Sequence, residues 1–156
     1  MTTLWTIGTG TRSIEDFLDL LAQNHIEALA DIRSFPTSRF EQLKQKNLKA
    51  SMKRVGIRYV HIRELGGYRK GGYMAHTRTE EFARGLETLT ALSSESRTAF
   101  MCAETVFFRC HRRYVADQLA RRWHLVLHIV GPGKVKRHTP RDGIGMPRDC
   151  GERLVD

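Results

Sequence analysis

Cys102-Ala103-Glu104 and, after five intervening residues, Cys110-His111-Arg112 gather the most reactive side chains of the sequence. Two thiols, a carboxylate, an imidazole and a guanidinium support several chemistries. A cysteine thiolate is a nucleophile, Glu104 or His111 can move protons, and arginines can hold an anionic substrate. Cys102 and Cys110 can instead form a redox pair. Together with Glu104 and His111 they can also bind a metal, zinc foremost, although there is no CxxC motif and adjacent residues such as Cys110 and His111 rarely ligate one ion together. The plainest alternative is packing, since cysteine behaves as a small hydrophobe and Cys102 lies in an apolar run. Cys110 falls at the expected start of a helix, where free N–H groups and partial positive charge lower a thiol's pKa. Arg109, Arg112 and Arg113 would reinforce that field. Cys150 stands apart.

A second cluster runs from Asp31 to Arg39. On a strand, Asp31 and Arg33 face one way and Ile32 the other. Arg33 and Arg39, with the hydroxyls between them, suit a phosphate or carboxylate clamp. Asp31 suits a general base, and a structural Asp31–Arg33 ion pair fits the same spacing. Gly8-Thr9-Gly10-Thr11-Arg12 lies where phosphate loops lie but has neither the Walker lysine nor GxGxxG. Anion contact by Gly8 and Thr9 therefore competes with a plain tight turn. Leu65-Gly66-Gly67-Tyr68, with Arg69, Lys70 and Tyr73, reads either as a lid whose aromatics stack on a base or as a surface loop. His61 and His128 fall on strands and read as core or edge residues.

These clusters need a scaffold that brings them together. Segments 4–7, 28–33, 57–62, 98–102 and 125–130 are apolar and read as strands. Ser13 caps a helix with Glu15 and Asp16 in its first turn. A helix over 41–55 sets Phe40, Leu48, Met52 and Val55 on one side and Lys46, Lys49 and Lys53 on the other, and Gly56 ends it. Thr77-x-x-Glu80 reads as a capping box for the next helix, and 110–122 forms the last. Alternating strands and helices predict an α/β fold, a single domain over 1–130 with a largely parallel sheet of about five strands and helices on both faces. Residues 131–156, rich in Gly, Pro and charge, are expected to form a loosely ordered tail. Ligands of open parallel sheets bind beyond the strands' carboxyl ends. Each cluster follows such an end, so all are expected on one rim.

Charge is local too. Between Arg33 and Lys70 lie 11 basic residues and two acids, which accounts for the whole net charge of +9. A basic segment attracts polyanions, and Lys46, Lys49 and Lys53 would meet a phosphate backbone without reading sequence. With 40% hydrophobic residues a packed core is available, and three cysteines are too few for a disulfide scaffold. No apolar run reaches the roughly 18 residues that span a bilayer. The first residues lack the features of a secretion signal. A cytoplasmic protein with reduced thiols and no membrane partner is expected.

The sequence resembles the domain-of-unknown-function 488 (DUF488) family, small bacterial and archaeal proteins. The resemblance is carried by Thr6-Ile7-Gly8, Asp31-Ile32-Arg33-Ser34-Phe35-Pro36 with Ser38-Arg39, Gly56-Ile57-x-Tyr59-x-His61 and Leu65-Gly66-Gly67. Further on it is carried by Tyr73-Met74, Met101-Cys102-Ala103-Glu104, Cys110-His111-Arg112 and His128-Ile129. It spans about 1–130 and implies a shared polar site of unknown activity, suspected to be enzymatic. Where the family reads Gly-His-Ser, this chain has Gly8-Thr9-Gly10, so a histidine role there does not carry over. Its family-like end is reduced to His138-Thr139-Pro140.

The reading that joins these strands is an enzyme acting on a phosphate-bearing ligand, a nucleotide or nucleic acid. Its catalytic candidates are Cys102, Glu104, Cys110, His111 and Asp31. Its anion-binding candidates are Arg33, Arg39, Arg112, Gly8, Thr9 and Tyr73. A non-catalytic nucleic-acid-binding module and a metal or redox protein are the alternatives.

Overall fold

The computed structural model describes residues 2–67, 69–104 and 110–140. Tyr68, Arg109, Cys150 and the tail from 141 onward lie outside the described residues. The chain runs β1 (Thr3–Gly8), α1 (Ile14–Gln23), β2 (Ala28–Asp31), α2 (Gln45–Arg54), β3 (Arg58–His61) and a short α3 (Tyr73–His76). It continues with α4 (Glu80–Glu95), β4 (Thr98–Cys102), α5 (Arg112–Arg121), β5 (Leu125–Gly131) and β6 (Lys134–Arg137). Ser13 caps α1 as expected, accepting from the Asp16 N–H at 3.1 Å.

All strands join one sheet in the order β3-β2-β4-β1-β5-β6. The first five are parallel, and β6 pairs antiparallel with β5. This sixth strand falls in the segment expected as tail. Gly133, with φ +67°, supplies the turn that folds it back, and its hairpin needs only two linking residues.

Alternating strand residues pack into two clusters. Leu4, Ala28, Ala30, Phe100 and Val126 meet α4 and α5. Trp5, Ile7, Leu29, Ala99, Met101 and Leu127 meet α1 and α2. The partition follows the period-2 alternation of side chains along a strand and is compatible with helices on both faces. It also places the site. The helices after β1 and β2 belong to one cluster, whereas α5, which follows β4, belongs to the other. Because β4 lies between β2 and β1, the connections part above it and leave a crevice at its carboxyl end.

Three local expectations are corrected. The helix over 41–55 is broken: Glu41–Leu43 is a 3₁₀ turn, Lys44 is extended, and the Gln45 N–H is drawn 2.9 Å from the Pro36 carbonyl before α2 begins. Leu48 and Met52 are buried, but Val55, past the helix end, is 47% exposed. Thr79 rather than Thr77 caps α4, accepting from the Phe82 N–H at 3.1 Å. The Thr77 hydroxyl instead donates to the Met74 carbonyl.

Candidate functional site

The crevice above β4 is a cleft of about 940 Å³, walled by segments of the three connections that follow β2, β3 and β4. Arg33, Ser34, Phe35 and Thr37 come from the loop after β2. Gly67, Arg69 and Tyr73 come from the connection after β3. Cys102, Ala103 and Glu104 end β4, and Cys110, His111, Arg113 and Tyr114 lead into α5.

Both cysteines are buried in the apolar cluster under α4 and α5 while still lining the cleft floor. Their sulfurs touch, in disulfide contact. Cys110 stands two residues before α5, with His111 at the cap position, and its Sγ accepts the Arg112 backbone N–H at 3.4 Å. This is the helix-start arrangement that favours a thiolate.

His111 has a defined tautomer. Its Nε2 lies 2.9 Å from the Ile32 carbonyl. A carbonyl only accepts, so Nε2 carries the hydrogen, and Nδ1 of the neutral ring is bare. That Nδ1 lies 3.5 Å from Cys110 Sγ. Burial first, then the charges of Arg112, Arg69 and His76, push His111 down to about 4 against the pull of the Ile32 bond, so the ring is neutral at pH 7. Tyr73 packs its ring 5.2 Å from His111 and 5.5 Å from Tyr114. Its hydroxyl donates to the Leu65 carbonyl at 2.7 Å, and burial raises its pKa above the usual phenol range.

The loop after β3 approaches closely. The Ser34 hydroxyl donates to the Gly67 carbonyl at 2.5 Å. A Cβ on Gly66 would meet Ser34 Oγ at 2.2 Å and the Ser34 backbone at 2.6 Å and 2.7 Å. Gly66 has an ordinary extended conformation, so it is space, not φ, that requires glycine. Gly66→Ala is expected to lower the unfolding free energy by about 2–3 kcal/mol; a chemical denaturation midpoint equal to the parent's would refute the close approach.

The other expected site residues fall as follows. Asp31 is fully buried, outside the cleft lining. It accepts from Arg33 Nε at 2.9 Å, Arg33 Nη2 at 2.8 Å and the Tyr59 hydroxyl at 2.5 Å. Arg33 gives Nη1 to the Leu43 carbonyl at 2.9 Å, so the pair braces the cleft wall. Arg112 is 1% exposed, and its guanidinium lies beneath the floor, donating to Thr6 Oγ1 at 3.1 Å and the Glu104 carbonyl at 2.8 Å. Gly8 and Thr9 are buried outside the lining. The Thr9 N–H donates to the Cys102 carbonyl at 3.0 Å, bracing the end of β4. Arg39 is exposed and stacks on Phe40. Lys46, Lys49 and Lys53 are exposed on α2. Glu104 is an exposed part of the lining.

Sequence reasoning gave Phe35 and Tyr114 no site role, placed Arg69 in a lid or surface loop, and set Arg113 only beside the Cys110 thiol; the cleft brings all four together. Arg113 donates from Nη2 to the Tyr114 hydroxyl at 2.8 Å and lies 4.7 Å over its ring. Phe35, 65% exposed, stands at the mouth. Arginines beside cysteines carry a signal of cationic character, but nothing in the sequence reveals which of two consecutive arginines faces out. Among the described residues no group of three or more His, Cys, Asp or Glu is placed to hold a metal ion. No helix among them is long and apolar enough to cross a membrane.

A largely parallel α/β sheet with paired thiols and an imidazole at the carboxyl edge defines the structural class. The chain belongs to the DUF488 family, described as a domain of unknown function, which matches residues 13–119. No curated protein and no solved structure matches it significantly.

Proposed function

We propose that the protein is an enzyme acting on a phosphate-bearing ligand with a planar ring, such as a nucleotide, with Cys110 as nucleophile. The single observation behind this reading is the Cys110–His111 pair opening onto the cleft. The thiol gives its proton to His111 Nδ1, leaving a thiolate beside an imidazolium whose Nε2–H still donates to Ile32. His111 alone resists that proton. A thiolate at 3.5 Å favours it, so the two titrate as a pair. Arg113 supplies a cationic group for an anion, while Arg69 is held at the cleft wall by Glu81 and the Gly66 and Arg63 carbonyls. Phe35 and Tyr114 supply faces for a ring.

Alkylation of the reduced protein, read peptide by peptide in a mass spectrometer, tests this. Cys110 is expected to react fastest of the cysteines, His111→Asn is expected to slow it about tenfold at pH 7, and a nucleotide or oligonucleotide panel should contain a protecting ligand. Absence of protection by every nucleotide, oligonucleotide and inorganic phosphate would overturn the reading.

The contact between the two sulfurs favours a second reading, thiol–disulfide exchange. Oxidation of Cys102 and Cys110 to a disulfide releases two protons and two electrons, which a disulfide or peroxide substrate accepts. This reading expects two fewer free thiols in the protein isolated without reductant, restored by dithiothreitol. Three free thiols in air-equilibrated protein would dismiss it.

A further inference from the structure

A buried polar chain starts at Arg112, beneath the cleft floor. Arg112 Nη1 donates to Thr6 Oγ1 at 3.1 Å, and Thr6 Oγ1 lies 2.5 Å from His128 Nδ1. His128 Nε2 lies 2.8 Å from His138 Nδ1, and His138 Nε2 lies 2.6 Å from Asp117 Oδ1. The chain crosses from α5 to β1, β5 and the residue after β6, then returns to α5. Thr6, His128 and His138 are each buried to 5% exposure or less. Buried polar groups in series are costly unless every link is satisfied, and neither imidazole has a role in the chemistry proposed above.

The carboxylate end sets the direction. Asp117 only accepts, so His138 Nε2 carries a hydrogen. In a neutral His138, Nδ1 is then bare and accepts from His128 Nε2–H. His128 Nδ1 in turn accepts from the Thr6 hydroxyl, whose oxygen takes the Arg112 N–H. Each link has one donor and one acceptor. Burial foremost, then His138, Arg112 and Lys136, hold the His128 pKa well below the usual histidine range.

Arg112 is the member that reaches the site. Its backbone N–H meets Cys110 Sγ, and its Nη2 holds the Glu104 carbonyl, whose oxygen also lies 3.7 Å from Cys102 Sγ. Arg112 therefore ties together both segments that carry the thiols. We propose that Asp117, His138, His128 and Thr6 are positioning residues: through a one-way hydrogen-bond chain they hold Arg112 where it orients the Cys110–His111 pair. This inference deepens the nucleophile reading and rests on it.

Two measurements on the full chain test it. Nitrogen-15 NMR of the unmodified protein is expected to show the Nε2–H tautomer at both His128 and His138 at pH 7; an Nδ1–H tautomer at His128 would overturn the direction. The second is the pH midpoint of Cys110 alkylation under reductant. Besides the chain, Arg69, His76 and Tyr73 act on His111, Glu104, Arg113 and Tyr114 line the same cleft, and all are kept constant. Asp117→Ala removes the terminal acceptor and is expected to raise the midpoint by about one pH unit, a roughly tenfold smaller thiolate fraction below it. Asp117→Asn keeps an acceptor oxygen and should restore the parent midpoint. Simple loss of a negative charge would move both variants down. A purely structural role would lower the melting temperature and leave the midpoint alone. A midpoint that is unchanged or lower in Asp117→Ala overturns the proposal. Failure of ligands to protect Cys110 would count against the function reading only, because neither measurement uses a ligand.

Discussion

Asp31→Asn is expected to lower the unfolding free energy by about 3–5 kcal/mol, the cost of leaving one member of a buried ion pair without its partner. The substitution keeps the volume of the side chain, so a loss of that size reports charge and hydrogen bonding rather than a cavity. Asp31 is 0% exposed and Arg33 5% exposed. The carboxylate holds both Nε and Nη2 of Arg33, and the burial of both groups makes loss of either partner costly. Released, the guanidinium would also loosen its hold on the Leu43 carbonyl, while the Arg33 carbonyl is the partner of His61 Nε2 at 2.7 Å. The damage would therefore spread to the loop that carries Ser34, Phe35 and Thr37 along the cleft. Urea denaturation at pH 7 measures the effect. Combining Asp31→Asn with Arg33→Met should cost less than the two single losses added together, because the pair fails as a unit. A loss below about 1 kcal/mol for Asp31→Asn would mean that the pair is solvated in solution.

The contrast between Asp31 and Arg112 shows what the sequence made legible. Two residues apart on a strand, Asp31 and Arg33 must share a face, so an ion pair at that spacing is readable in advance. That its last donor is taken by Leu43 depends on where the chain turns after Pro36, which no local pattern states. Arg112 and Arg113 both flank Cys110 and look alike as candidate clamps. They differ by about 100° in helical phase, and the packing of Val115, Ala116 and Leu119 turns Arg112 inward. The strands β1 to β5 were readable from apolar runs, and the clustering of reactive residues past their ends followed from the parallel topology. The order β3-β2-β4-β1 was not, because lateral order rests on pairing between distant segments. Nor was the histidine chain: Thr6, His128 and His138 are 122 and 10 residues apart in successive links, and each reads singly as a core or tail residue. The antiparallel β6 escaped notice because Lys134–Arg137 is short and basic, with the composition of an edge strand guarded against further pairing.

The cleft and the helical cluster beneath it make opposite demands on the same residues. Cys102 and Cys110 contribute to the apolar packing under α5 and also line the opening. A thiol held this way is shielded from bulk water yet reachable along one direction. The Arg112 N–H and the His111 ring then act on it with little competition from solvent. Gly67 serves the same end: a Cβ there would stand 3.1 Å from His111 Nδ1, the nitrogen that faces the sulfur.

Acidification is expected to destabilise the fold well before the carboxylates titrate. His111 is held down to about 4 and His128 well below its usual value, each chiefly by burial. A histidine with a depressed folded pKa contributes no differential above the unfolded value, roughly pH 6.5, since both states are neutral there. As pH falls below that, the unfolded chain takes up protons that the folded one refuses, and stability drops by up to about 1.4 kcal/mol per pH unit for each such group. For His111 in the disulfide-linked protein, where no thiolate favours its charged form, the loss runs from about pH 6.5 to about 4, where the folded state binds its own proton, and amounts to about 3 kcal/mol. For His128 it continues lower. His124, partly exposed, adds in the same direction. Urea midpoints at pH 7.5, 6.0 and 4.5 should therefore fall steadily, with little change between pH 7.5 and 7.0. His111→Gln, which keeps a donor for Ile32 and cannot charge, should flatten that fall by close to half. Equal midpoints at pH 7.5 and 4.5 would show that His111 protonates freely in the folded protein, and the imidazole would then be unavailable as a proton acceptor through much of the acidic range.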